Sequence, residues 1–583
     1  MTLSRRQFLK NGAGLAALAT SGCGPGLSRY GSFSDCNPTD NGALVIDAHC
    51  HLLNQKDGSA RELVANRVLN LDEAGSPALA WMIGTLAQII GEVLGVATKT
   101  ARAENEVLAV ELRKALGDPY NLPARASNRD LCFFADTQQS GLIRAGRNSQ
   151  LTGFFSNRLR NAAQMMLLYP DVDLFLASMV DFYEGKTRVV YRNHISFYSN
   201  LALVTRGRFL PLASFSPERE YDERTLKGWG PDDSYTEKSQ FWWLKRAITH
   251  LGFVGVKVHP SSGFSPTNNL AFGCTNRSRY YETLPDSELY KRFTAYDEYM
   301  EELLDFCKAA NVPILTHGNL GLTIANEGCM TGARPSPADT PRGEPQGAFG
   351  DPAKDEWFYP FGARFRRDSD SFAKRSAQGE TRRPEDFTAS PRAWDTAMRD
   401  ADDRNPALPP AKVIMGHFAG SFEPKQKRGK WYAAASPWLE NLADLTKRNP
   451  HLYADLSELS TLFKEENRKS YAIAFERFLR DNRHITRHMI YGSDWHMPGT
   501  ARIGRRYIDL VRNLLPEGPD RRQIMGERAA DVFGLRPGTV NMARLEQFFA
   551  TAPNIWGVSR ANPQEPEKDP SLKPEDISWW SKV

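Results

Sequence analysis

The stretch VIDAHCHLLN, Val45 to Asn54, begins as an apolar run and ends with two histidines one residue apart. Side chains of an extended segment alternate between faces, so His49 and His51 share one side while Cys50 points to the other. Two imidazoles on one face at the end of a strand make half of a metal site, since imidazole is the commonest metal ligand. A His-x-His pair also arises by chance. Ligands further along the chain must decide.

Seven more short β-like runs follow: DLFLASMVDF (173–182), RFLPLASFSP (208–217), GFVGVKVHP (252–260), VPILTHG (312–318), AKVIMGHFAG (411–420), HLYADLS (451–457) and HMIYGSDW (488–495). Helical patterns lie between several of them, among them FWWLKRAITHLG before Phe253, YDEYMEELLDFCKAANV before Pro313 and SPWLENLADLTKRNP before His451. Alternating strand and helix predicts a parallel sheet, and eight such units predict an α/β fold, a (β/α)8 TIM barrel. The spacing is uneven. A large helical insertion is expected after strand 1, at about residues 55–170, and a Gly-, Pro- and charge-rich loop insertion after strand 5, at about 319–411. Long loops without structure of their own are usually functional, and barrel enzymes work at the end where these loops emerge, so the second insertion reads as a lid or substrate wall. Residues 37–535 are assigned to the barrel and 536–583 to a Pro-rich, charged extension that wraps the surface. The chain shows no internal repeat.

Residues 1–36 read as a leader and linker. SRRQFLK (4–10), followed by the mild apolar run NGAGLAALATSG, resembles a twin-arginine export signal in its paired Arg5 and Arg6 with Phe8 and Leu9. That resemblance implies the twin-arginine export machinery as a partner and a periplasmic or exported location. Cys23 closes a loose lipoprotein-type processing site, with Thr20 where Leu is usual, so either a lipid anchor at Cys23 or ordinary cleavage nearby follows. The seven cysteines in 583 residues make no disulfide framework; Cys274 and Cys329 could pair, and Cys50 and Cys307 read as buried thiols. A net charge of +5 over this length gives no case for nucleic acid. The apolar segment Pro77 to Ala97 is long enough to span a bilayer, but Gln88 and Glu92 inside it favour a buried or interfacial helix.

The ends of the strand runs answer the question raised by DAHCH. They carry Lys257 and His259, then His317, His417 and Asp494, and five of the chain's eleven histidines occupy such positions. This order of His-x-His, a strand-4 Lys, His at the ends of strands 5 and 6 and Asp at the end of strand 8 resembles the amidohydrolase superfamily. GSDW (492–495), with the later helix IMGERAADVFGL (524–535), resembles the closing segment of its amidohydrolase-related group. The likeness spans Val45 to Leu535, apart from the insertions.

The resemblance implies that His49, His51, His317 and Asp494 hold a divalent metal, most simply zinc, with one position open for water and Asp494 taking the water's proton. His417 then either acts on the substrate or water, or ligates a second ion bridged by a carbamylated Lys257; a plain Lys257 would instead bind an anionic substrate. Strand alternation turns Lys257 into the barrel and Val254, Val256 and Val258 toward the helices. His259 and His496 either line the pocket or are hydrogen-bonded structural groups. Asp455 and Ser457 support the site or cap a loop. His451, His484 and His488 precede strands and lie at the wrong end. The lid arginines, Arg364, Arg366, Arg367, Arg382 and Arg383, and the basic PKQKRGK (424–430) after His417 are weaker pointers to an anionic substrate.

The expected activity is metal-dependent hydrolysis of an ester, lactone or amide bond in a small molecule by metal-activated water. Nonoxidative decarboxylation in the same superfamily is the alternative enzyme reading. A non-catalytic exported binding protein is the third, and the complete ligand set speaks against it.

Overall fold

The computed structural model describes residues 42–54, 57, 100–106, 108, 158–181, 190–260, 264–267, 269, 286–318, 390–427, 430–459, 462, 465–495, 501–551, 577 and 579–583. Most of both insertions, the leader, Pro77 to Ala97 and His496 lie outside these residues.

Eight parallel strands form one sheet: β1 (Ile46–His51), β2 (Leu174–Ser178), β3 (Phe209–Phe215), β4 (Gly255–Val258), β5 (Ile314–Thr316), β6 (Val413–Met415), β9 (Leu452–Asp455) and β10 (Met489–Ile490). All eight coincide with the apolar runs. They read as continuous apolar stretches because a parallel barrel strand is covered on one side by its helices and on the other by the barrel interior. The last strand returns to the first: Ala48 N–H donates to Tyr491 O at 3.0 Å, and Asp494 N–H to His49 O at 2.6 Å. The result is a (β/α)8 barrel.

Inside it, Ile46, Ala48, Leu174, Leu176, Leu210, Leu212, Leu315, Ile414 and Ile490 form a buried inner cluster. The outer cluster holds Val45, Cys50, Phe175, Val256 and Val258 against the helices. Val254, which alternation assigns to the outer face, belongs instead to the inner cluster, because it precedes the first paired residue of β4. Cys50 and Cys307 are buried free thiols, as expected.

β1 departs from simple alternation in a way that matters. Its register runs Ile46↔Leu174 and Asp47↔Phe175, then Cys50↔Ala177 and His51↔Ser178, so one extra residue is accommodated between Asp47 and Cys50. Ile46 and Ala48 both belong to the inner cluster while Cys50 belongs to the outer one. The bulge therefore turns His49 inward directly after Ala48. Without it His49 and His51 would share the outward face of Val45 and Asp47.

Three helices begin on Ser-Pro. Ser216, Ser390 and Ser436 each accept the backbone N–H three residues on, and Pro217, Pro391 and Pro437 stand where a helix has no use for an N–H. Between β6 and the helix Pro437–Leu445 the chain makes an antiparallel hairpin, β7 (Phe422–Lys427) and β8 (Lys430–Ala435). Of PKQKRGK, Pro424 to Lys427 and Lys430 lie in those two strands. At the N-terminal side of the barrel the helix Val540–Thr551 and the final residues do more than wrap the surface. Phe548, Phe549, Ile577 and Trp579 are buried in the inner cluster, and Trp579 Nε1 donates to Gly207 O at 2.8 Å.

The closing helical segment fastens to β1 and β10 through backbone. Tyr491 N–H donates to Ile524 O at 2.8 Å. A Cβ at Gly526 would land on the Leu44 carbonyl and 3.1 Å from Val45 N. Because backbone cannot swing aside, Gly526→Ala should destabilise the chain by about 3 kcal/mol, read as a lower midpoint in urea unfolding. An unchanged midpoint would show that the segment can shift away from β1.

Candidate metal centre

His49, His51 and Asp494 meet where β1 and β10 end. His49 Nε2 lies 3.1 Å from His51 Nε2, and Asp494 Oδ1 lies 3.2 Å from His51 Nε2 and 3.7 Å from His49 Nε2. All three residues are buried. Their partners determine which atoms face one another. His49 Nδ1 is 2.8 Å from the Asp455 carboxylate, which only accepts, so Nδ1 carries the hydrogen. His51 Nδ1 is 3.3 Å from the Ser178 carbonyl, with the same consequence. Both Nε2 atoms thus present lone pairs to each other and to a carboxylate oxygen. Three acceptors converge on one point, where positive charge is favoured, and the Lys257 ammonium stands beside it, 2.9 Å from His49 Nε2.

Burial supports the neutral forms that a metal needs. It pushes His49 well below its ordinary pKa, helped by Lys257 and His51, and takes His51 down to about 3. Burial likewise keeps His259 and His417 neutral. Lys257 points into the barrel as expected, with Nζ 2.9 Å from His49 Nε2. Burial lowers its pKa to about 8, against the opposing pull of Asp455 and Asp494.

The other histidines form a second rank. His417 Nε2 lies 3.0 Å from His317 Nδ1, and the His317 ring stacks at 6.1 Å on His259, itself 5.8 Å from His51. Asp455 organises both ranks. Its Oδ2 meets His49, while its Oδ1 accepts from the Ser457 hydroxyl, from Ser457 N–H at 3.0 Å and from His417 N–H at 3.0 Å. With its hydrogen given to Asp455, Ser457 Oγ can only accept from His417 Nδ1, 3.1 Å away. His451, His484 and His488 lie at or before the starts of β9 and β10, apart from the site.

Two features escaped sequence reading. Asp47 is fully buried behind β1, where it accepts from Ser493 N–H at 2.9 Å and from the Ser493 hydroxyl at 2.5 Å. This clasp holds the turn that carries Asp494 at φ 51°, a conformation a non-glycine residue adopts at a cost. Burial raises the Asp47 carboxyl to about 7 against the pull of the Ser493 bonds. The second feature is Glu458, one residue beyond YADLS, whose Oε2 lies 3.8 Å from His417 Nδ1.

The Amidohydrolase family model, Amidohydro_2, matches residues 46–535. The chain belongs to the amidohydrolase family. It is therefore an amidohydrolase-superfamily enzyme of a metal-dependent kind, with His49, His51 and Asp494 as its candidate ligands. No curated protein matches this amidohydrolase. Among solved structures it is similar to a 5-carboxyvanillate decarboxylase from Sphingomonas paucimobilis, at 12% identity and TM-score 0.32 over 75% of this chain and 97% of that one. A 5-carboxyvanillate decarboxylase from Novosphingobium aromaticivorans, complexed with manganese, gives 11% and 0.34 over 86% and 99%. A uronate isomerase from Bacillus halodurans gives 11% and 0.35 over 93% and 99%.

Proposed function

We propose that this amidohydrolase hydrolyses an ester, lactone or amide bond of a small molecule with the help of a divalent ion, zinc in the simplest case. The observation that carries the reading is the convergence of two imidazole lone pairs and one carboxylate oxygen at the barrel mouth. The donor set fits a first-row divalent ion, with His317 as a further ligand from β5. When bound, such an ion makes a water nucleophilic near neutral pH and polarises a carbonyl.

The chain's own groups do the rest. Asp494 accepts the proton from the water and returns it to the leaving group. Asp455 fixes the tautomer of His49 and, through Ser457, that of His417. His417 Nδ1–H faces Ser457, which leaves its Nε2, 3.0 Å from His317 Nδ1, as the atom that would accept a hydrogen from substrate or water. Lys257 supplies positive charge for an anionic group of the substrate, and His259 lines the pocket. The reading includes export: the Arg5–Arg6 leader supports delivery of the folded enzyme to the periplasm, with Cys23 as the residue for a lipid anchor.

The first test is metal content by mass spectrometry on protein purified without chelator, paired with turnover of a panel of esters, lactones and amides. The expected result is at least one divalent ion per chain, with hydrolysis lost on chelation and restored by zinc. No ion even after zinc is returned would overturn the reading, as would turnover confined to CO2 release from carboxylated rings.

A further inference from the structure

We infer that the N-terminal end of the barrel, at the turns leading into β6, β9 and β10, docks on an anionic phospholipid bilayer. The inference builds on the export reading above and is independent of the metal chemistry.

Three turns at this end, residues 405–412, 446–451 and 482–488, lead into strands that lie side by side in the sheet. They carry Lys412, Lys447, Arg448, Arg483 and Arg487 and no carboxylate. All of these but the half-buried Lys412 are exposed. Lys447 and Arg448 have partners in Asp444 and Asp395, whereas Arg483 and Arg487 have none among the described residues. Arg528 adds a half-buried cation behind them, its Nη1 donating to Met489 O at 3.0 Å. Like charge is crowded here: burial, then Arg528, His484 and Arg487, hold His488 below its ordinary pKa, and burial with Lys412 does the same to His451. Across all seven helix-to-strand turns, seven Lys and Arg stand against two Asp, which pair with Arg512 and Lys582. That excess equals the net charge of +5 of the entire chain, so positive charge is gathered at one end of the barrel.

The tether arrives at the same end. β1 is the neighbour of β10, with Ala48 N–H on Tyr491 O, so residues 24–41 join Cys23 to the barrel beside these turns. That linker reaches at most about 65 Å. A lipid on Cys23 would hold this end within that reach of the bilayer and make docking an intramolecular step. Close to an anionic surface, each Lys or Arg then strengthens binding about fivefold. Docking in this way points the metal centre, at the opposite ends of the strands, away from the membrane. The enzyme accordingly draws its substrate from solution and not from the lipid.

The test is co-sedimentation of the full chain carrying Cys23→Ser, which no acyl chain can join, with vesicles of phosphatidylglycerol and phosphatidylcholine or of phosphatidylcholine alone. Binding to the anionic vesicles is expected at 0.1 M salt and its loss at 1 M, as the screening length falls from about 10 to about 3 Å. Arg483→Gln with Arg487→Gln should weaken it roughly 25-fold, at about fivefold per charge. Should that pair not fold, Lys447→Gln with Arg483→Gln should weaken it by a similar factor. Lys227→Gln with Arg246→Gln, an equal loss of exposed charge between β3 and β4, should leave it unchanged. No binding to anionic vesicles, equal binding by the paired arginine variant or to neutral vesicles, or retention by soluble polyphosphate in their place would overturn the inference. Labelling of Cys23 with radioactive palmitate tests the export reading separately, and vesicle binding by the Cys23→Ser chain does not depend on its outcome.

Discussion

Asp494→Asn is expected to lower turnover about a thousandfold, within the range that a positioned proton acceptor contributes. The amide keeps the size of the side chain, and the backbone N–H of residue 494 still donates to His49 O, so the turn should persist. What is lost is an anion 3.2 Å from His51 Nε2 and the group that takes the water's proton. The variant should also bind manganese more weakly. A split outcome is informative: unchanged affinity with lost turnover would confine Asp494 to proton transfer. Turnover within about tenfold of the native enzyme would remove Asp494 from both roles.

Asp455→Asn should produce the second large effect without touching the ion. The native carboxylate accepts on one oxygen from His49 Nδ1 and on the other from the Ser457 hydroxyl, Ser457 N–H and His417 N–H. An amide offers a single acceptor oxygen. If that oxygen serves His49, the NH2 group confronts two backbone donors; if it is flipped, the NH2 confronts His49 Nδ1–H and forces the wrong tautomer on the ligand. Either way a buried donor goes unmatched, at about 3 kcal/mol of stability, and metal affinity should fall roughly 10–100-fold. The two effects are separable by measuring thermal unfolding of the stripped protein and manganese affinity of the folded one. Native affinity in the variant would mean that His49 is oriented by other contacts.

The barrel was legible because its strands are buried on both faces. Runs such as LFLAS and ILT carry no alternation to confuse with a surface strand, and a polar ligand type follows or ends most of them. His49, His51, Lys257, His317, His417 and Asp494 were found this way. Period-two alternation placed His49 and His51 on one face but was silent about which face, since the bulge between Asp47 and Cys50 leaves no mark in residue type. The hairpin β7–β8 was hidden because FEPKQK and KWYAAA mix charge, proline and alanine and read as loop. Asp47, Ser493 and Glu458 were missed for a different reason. Their roles depend on contacts between loops far apart in sequence, and only the folded barrel brings Asp47 to Ser493 or Glu458 to His417.

The clasp between β1 and β10 also bears on how the protein is made. His49 and His51 stand near the beginning of the barrel sequence and Asp494 near its end, so no ion can be gripped by all three until the last strand has left the ribosome. Cofactor loading can then only follow closure of the barrel by its last strand, and a loaded chain is a closed one. Because a ligand that binds only the closed form adds about 4 kcal/mol at a thousandfold excess over its dissociation constant, loading also acts as a ratchet against reopening. For an enzyme that crosses a membrane already folded, as proposed here, occupancy of this seam would serve as a quality check: unfinished or misassembled chains have nowhere to put the metal.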